Sequence, residues 1–395
     1  MRGGRNLPQC RSLITFHVLR FTPTPFRYTA RVTSLPLHEF HETLSARFTA
    51  VNGAEFVEHY GDPLAEHRAL RESAGVLDLS SRARLCLTGA DRARFLNGQV
   101  TNDVKNLAPG SGCYAALVNV KGKMQADLFI HGLAEELLLD FEPGLAPAVA
   151  ARFEKFIIAD NVQVVDVAPH YGLLSVQGPR AAEALGKLGL GIELPVQSLQ
   201  SVNVRDTTLG EIVCARVARG SAEGFDLFVP TPSLGAVADK LVAAAREVGG
   251  CAAGWQALET LRIEAGVPRF GIDMDETTLP PEAGIEGRAV SYSKGCYIGQ
   301  EIIARIRTYG QVARSLRGLR LPDDLGGLPA CGEKLFHDGR EVGFITSAVR
   351  SPALGANIAL GYVRRECNQP GTTLTMQTAS GNLPVHIVTL PFVPA

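Results

Sequence analysis

Short apolar runs of strand length, separated by Gly, Asn, Asp and Ser turns, dominate this chain, with segments of helical period set between them. The first clear helix opens at Asp62-Pro63, with Asp as its cap and Pro in the first turn. It runs to about Ser73, and Gly75 ends it. Residues 76–79 and 83–87 read as strands around the polar turn Ser80-Ser81-Arg82. A short helix with Phe95 and Leu96 follows Gly89-Ala90-Asp91, and Thr101-Asn102-Asp103 has the composition of an Asx turn. Strands are expected over 114–120, 125–130 and 137–141, with a hairpin-like turn at 119–123, then a helix over 146–158. The same grammar recurs: strands over 162–167, 173–176, 212–217 and 225–229, helices over 179–188 and 234–248. A further helix over 255–264 is closed by Gly266.

Residues 268–292 are rich in Gly, Pro, Asp and Glu and lack a period. A loop of that length is either functional or disordered. It leads directly into the most chemically mixed stretch of the chain, which favours function. From about residue 311 the pattern changes to close-set short strands over 317–321, 334–336, 341–348, 358–363 and 374–378. Asp338-Gly339 and Ser380-Gly381-Asn382 supply turns, and the whole reads as a small β-barrel of ~80 residues. The fold class is α+β: two lobes over 39–160 and 161–310, then a C-terminal β-barrel over 311–395, without the regular alternation of a doubly wound sheet.

Composition narrows the function classes. With 395 residues, 46% hydrophobic and 20% charged, the chain is ordinary globular protein. A net charge of −1 gives no basic field for nucleic acid or an anionic membrane, and no run reaches the ~18 apolar residues of a membrane-spanning helix. The eight cysteines include no CxxC pair, which argues against a zinc ribbon or a ferredoxin-type cluster and for a reducing compartment. Residues 1–38 carry six arginines and no acid. They form either a disordered extension of a cytoplasmic protein or a transit leader to the mitochondrial matrix.

Candidate chemistry concentrates in Lys294-Gly295-Cys296-Tyr297-Ile298-Gly299-Gln300-Glu301. A thiol between two glycines, beside a cation, is either a reactive group or an inert cysteine in a polar turn. Lys294, with Arg305 and Arg307 beyond a β-capable run at Ile302-Ile303-Ala304, would favour the thiolate. The octapeptide resembles the signature of the YgfZ-type folate-binding proteins, relatives of a mitochondrial iron–sulfur maturation factor, within the aminomethyltransferase (glycine-cleavage T-protein) superfamily. Glu66-His67-Arg68-Ala69-Leu70-Arg71, Gly224-Phe225-Asp226-Leu227 and Leu261-Arg262-Ile263-Glu264-Ala265-Gly266 are similar to superfamily segments.

The resemblance implies an aminomethyltransferase-like three-lobed ring around tetrahydrofolate, with Asp226, Asp127, Asn119 and Arg262 as folate contacts. It implies an accessory role with iron–sulfur enzymes or cluster-assembly proteins. Cys296 would be the functional thiol, and Lys294, Tyr297, Gln300 and Glu301 would shape its pocket. The alternative is a folate-dependent aminomethyltransferase of the glycine-cleavage type. Against that alternative stands Ala126, which replaces the first of two adjacent acids and leaves only Asp127.

Overall fold

In the computed structural model, residues 32–378 and 381–394 are described. The expected leader falls mostly outside them, as does Ser380 of the last expected turn. Residues 32–38, expected within the leader, are folded: Thr33 bridges to Ala54, and Leu35 is buried.

The chain opens with α1 (His38–Thr43), the hairpin β1 (Arg47–Val51) and β2 (Ala54–His59), and α2 (Pro63–Glu72). Asp62 caps α2 by accepting from the amides of Leu64 and Ala65. There follow β3 (Gly75–Asp78), β4 (Ala83–Thr88), α3 (Arg92–Gln99), β5 (Gly112–Val118), β6 (Met124–Gly132), β7 (Leu137–Phe141), α4 (Ala146–Glu154) and β8 (Gln163–Asp166). The next stretch holds β9 (Tyr171–Gln177), α5 (Ala181–Gly186), β10 (Ser201–Asp206), β11 (Gly210–Arg216), β12 (Gly224–Pro230), α6 (Thr231–Glu247), β13 (Cys251–Ala252) and α7 (Trp255–Glu264). A long loop containing α8 (Glu286–Ala289) reaches α9 (Gln300–Tyr309). The tail is β14 (Arg314–Arg320), β15 (Lys334–His337), β16 (Arg340–Ser351), β17 (Ala356–Arg364), β18 (Thr373–Thr378) and β19 (Gly381–Val388).

Two antiparallel sheets carry the lobes. The first runs β5-β6-β7-β4-β8; the second runs β10-β11-β12-β9-β3-β13, with only β13 parallel to its neighbour. The lobes therefore do not divide at residue 160 as expected. β3 precedes the first sheet in sequence but pairs with β9, and β8 follows residue 160 yet closes the first sheet on β4. Helices cover the outer faces. Phe95 and Phe153 of α3 and α4 pack on Leu85, Leu117, Ala126 and Leu139. Leu234, Val237 and Leu241 of α6 pack on Val176, Phe225 and Leu227. The inner faces meet through Cys86 and Leu138 on one side and Leu77, Val213 and Phe228 on the other. Each fully buried Leu or Phe at these seams contributes about 1.5–3 kcal/mol of transfer free energy.

The tail closes as a six-stranded antiparallel barrel, β14-β17-β16-β15-β18-β19. The β-capable run at Ile302-Ile303-Ala304 is instead helical. Gly299 and Gly310, at φ 85° and 83°, stop α9 at its two ends, and Ile302, Ile303 and Ile306 lie at helical spacing.

Candidate functional site

The pleat of β6 sorts its side chains between a core and a site. Ala126, Leu128 and Ile130 pack among the helices of the first lobe. Asp127, Phe129 and His131 stand on the opposite face, toward the second sheet. Ala126 thus lies fully buried in hydrocarbon, on the far side of the strand from Asp127. Its methyl removes no group from the site face, so it does not count against transfer chemistry.

Strand register then builds a polar row. Phe129 pairs with Asp140 and Arg84 pairs with Asp140, so Asp140 stands between them. Just beyond the end of β7, Glu142 lies near enough to Asp127 for its charge to act on it, and Arg82 joins Glu142 to Asp140. Arg82 donates through Nε to Asp140 Oδ1 at 2.8 Å and through Nη1 to Glu142 Oε1 at 2.5 Å. Arg219, from the loop after β11, clamps the two sheets together. Its Nη2 donates to Asp140 Oδ2 at 2.7 Å and to Asp226 Oδ2 at 2.6 Å, and its Nε to Asp226 Oδ1 at 3.2 Å. Burial pushes the Asp140 carboxyl up, but the charges of Arg82 and Arg219 outweigh it and hold the group down at about 2.

Asp127 is in a different state. The Tyr114 hydroxyl donates to its Oδ2 at 2.7 Å, while its Oδ1 is buried without a partner. Burial raises the Asp127 carboxyl above the usual range and the charge of Glu142 raises it further, against the Tyr114 hydrogen bond. Glu142 Oε2 and Arg269 Nε and Nη1 are also buried without hydrogen bonds. Arg269 lies over the Trp255 ring at 4.8 Å, and Arg288 over the Tyr114 ring at 4.5 Å.

The other expected contacts are committed elsewhere. Asn119 turns the β5–β6 hairpin, its Oδ1 accepting from the amides of Lys121 and Lys123. Arg262 is buried and donates to Glu259, Asp273 and Ser347 Oγ, a seam to the barrel. Asp226 is fully buried, with both oxygens on Arg219.

The octapeptide is a docked loop. Lys294 Nζ donates to the carbonyls of Asn97, Val100 and Asn102 at 2.5–2.8 Å, and burial lowers its pKa to about 8. Tyr297 packs with Met124, Phe270 and Ile303. At Gly299 a Cβ would stand 2.4 Å from the Asn119 carbonyl oxygen, so only glycine allows that approach. Cys296 is exposed, Gln300 half-buried and Glu301 exposed at the start of α9.

Glu142, Asp140, Arg82, Arg219 and Arg269 drew no attention as sequence. The available signal was the pair of acids interrupting Leu137-Leu138-Leu139-Asp140-Phe141-Glu142.

Comparison with known proteins agrees over almost the whole chain. Residues 37–294 match the GCVT N-terminal domain and residues 314–394 the glycine cleavage T-protein C-terminal barrel domain. The chain is 31% identical over 360 residues to the aminomethyltransferase of Saccharopolyspora erythraea, covering 90% of this chain and 97% of that protein. It is also 31% identical over 369 residues to the aminomethyltransferase of Symbiobacterium thermophilum, covering 90% and 96%. The crystal structure of glycine cleavage system aminomethyltransferase T from Bartonella henselae superposes with a TM-score of 0.84 at 26% identity, over 92% of this chain and 98% of that one. These relatives overturn the expectation of an iron–sulfur accessory protein acting through Cys296 with iron–sulfur partners: they carry the name of the alternative, aminomethyltransferase. The aminomethyltransferase-like fold with its C-terminal barrel stands, and so does tetrahydrofolate as the cofactor that goes with it.

Proposed function

Because the chain belongs to the glycine cleavage T-protein family, we propose that it is a tetrahydrofolate-dependent aminomethyltransferase. The observation that carries this reading is Asp127. It is an acid on the site face with one oxygen held by Tyr114 and the other, buried, free for a ligand. Unpartnered buried acceptors and donors on Asp127, Glu142 and Arg269 fit a cofactor that brings both donors and acceptors. Bound tetrahydrofolate would supply the nitrogen that receives the one-carbon unit. Asp127 would take or hold a proton at its unpartnered Oδ1, and Tyr114 fixes its rotamer through Oδ2. Arg82 and Arg219 balance the neighbouring acids, so that the raised affinity for a proton resides on Asp127. The octapeptide supports a position near the YgfZ-type branch of the superfamily, and that concerns lineage alone.

The test uses the purified chain, tetrahydrofolate and an aminomethyl-loaded lipoyl carrier protein, with ammonia release as the readout. Turnover is expected, and Asp127→Asn should lower kcat by ~10²–10⁴-fold, the contribution of a positioned acid/base. Full activity in that variant, or no turnover by a wild-type chain that binds tetrahydrofolate, would overturn the proposal.

A further inference from the structure

The superfamily resemblance makes Asp226 a folate contact, but here that acid is closed. Both of its oxygens accept from Arg219, and it lies fully buried between the sheets. A ligand could take it only by displacing a buried guanidinium, leaving an uncompensated charge.

Unmet hydrogen-bonding capacity lies one row away. Glu142, 5% exposed, has Oε1 hydrogen-bonded to Arg82 and Oε2 without a hydrogen bond. Arg269 has two buried N–H groups that make no hydrogen bond: Nε, which is ion-paired with Glu259 Oε1 at 3.3 Å, and Nη1. Glu142 Oε2 and Arg269 Nη1 are 3.7 Å apart, too far to bond each other directly. The carboxylate oxygen and the guanidinium N–H form a long ion pair in which each keeps unused hydrogen-bonding capacity. An amino-pyrimidinone ring edge carries N–H donors next to a carbonyl acceptor, the matching order. Buried groups left without partners cost free energy that a ligand satisfying both would recover.

We propose that Glu142 and Arg269, in place of Asp226, bind the amino-pyrimidinone edge of the pterin, Glu142 accepting its N–H groups and Arg269 donating to its carbonyl. This rests on the tetrahydrofolate reading above. Two features prepare the pair. Arg82 holds Glu142 in place through Oε1, and the Trp255 ring carries Arg269 on its face. Glu142 is close enough to Asp127 for its charge to act there, so a ligand held by Glu142 would lie near the acid assigned to proton handling.

The experiment is calorimetric titration of the full chain with tetrahydrofolate. The fluorescence of Trp255, the single tryptophan, serves as a second readout beside Arg269. Glu142→Gln and Arg269→Gln should each weaken binding about 10–100-fold, the loss expected for one charge-assisted hydrogen bond. A tetrahydrofolate analogue lacking the 2-amino group closes the cycle. Against wild type it should lose affinity, and against Glu142→Gln it should lose much less, because both changes remove the same contact. Fully additive losses would overturn the assignment, as would unchanged affinity in either variant. Thermal unfolding of each variant separates lost contact from lost fold, and the analogue arm with the unmodified chain needs no variant to fold. If wild type binds no tetrahydrofolate, the functional reading itself fails; if it binds and Glu142→Gln binds equally well, only this assignment fails.

Discussion

Asp127 owes its pH behaviour to its burial and two neighbours. Burial and the Glu142 charge raise its carboxyl, and the Tyr114 hydroxyl opposes them. A base with a raised pKa loses its working form early as pH falls, so the acid limb of kcat/KM should stand above the ordinary carboxylate range. Tyr114→Phe removes a donor to the ionised form and should move that limb to higher pH. Glu142→Gln removes a like charge and should move it to lower pH. If neither profile moves, Asp127 is not the group that titrates in turnover. At this scale the sequence was partly legible. The superfamily resemblance marked Asp127, but the face on which each neighbour stands was not written in the sequence. Ala126 read as a lost site acid because adjacency in sequence looked like adjacency in space, whereas the pleat turns it into the helix-packed core. Lys294 read as a companion for the Cys296 thiolate, but three backbone carbonyls occupy its ammonium.

At the scale of elements, Leu137-Leu138-Leu139-Asp140-Phe141 was legible as a strand. Its buried acid was not legible as a clamp, because its partners come from 58 and 79 residues away. α9 went unrecognised for a related reason. Three apolar residues cannot distinguish strand from helix until the flanking glycines are seen in left-handed conformation. The clamp has a consequence for stability. Arg219→Met would leave Asp226 without its cation and Asp140 with Arg82 alone, costing about 3–5 kcal/mol as for other broken buried pairs. Asp140 is held down at about 2, against ~3.9 for an unperturbed Asp. Its contribution is therefore present above about pH 4 and lost as pH falls toward 2. In Arg219→Met that carboxyl rises, so acid unfolding should begin at higher pH than in wild type, and denaturant unfolding at pH 7 should show the reduced stability. Equal stability at pH 7 would show that the sheets are held together by their apolar seam alone.

Across the whole molecule, α7 joins the site to the barrel. Trp255 at its start lies under Arg269, and Glu259 in its middle bonds Arg262. Glu264 at its end accepts from His67 of α2 and from Ser351 of β16. Arg262 reaches Asp273 in the long loop and Ser347 of the barrel, and Asp273 in turn accepts from Thr346 and Ser347. The barrel was legible from its turn spacing, and the long loop from its lack of a period. The seam between them was not, since it is made of polar residues that a sequence presents as surface. Arg262 therefore has a structural account that competes with direct folate contact, and one variant decides between them. Arg262→Met should leave Asp273 buried without a cation and lower stability by about 3–5 kcal/mol. It should also loosen residues 268–285 to limited proteolysis, with tetrahydrofolate affinity falling only as Arg269 loses its position. A variant that melts like wild type, keeps the loop protected and still loses folate affinity would make Arg262 a ligand contact and remove it from the seam.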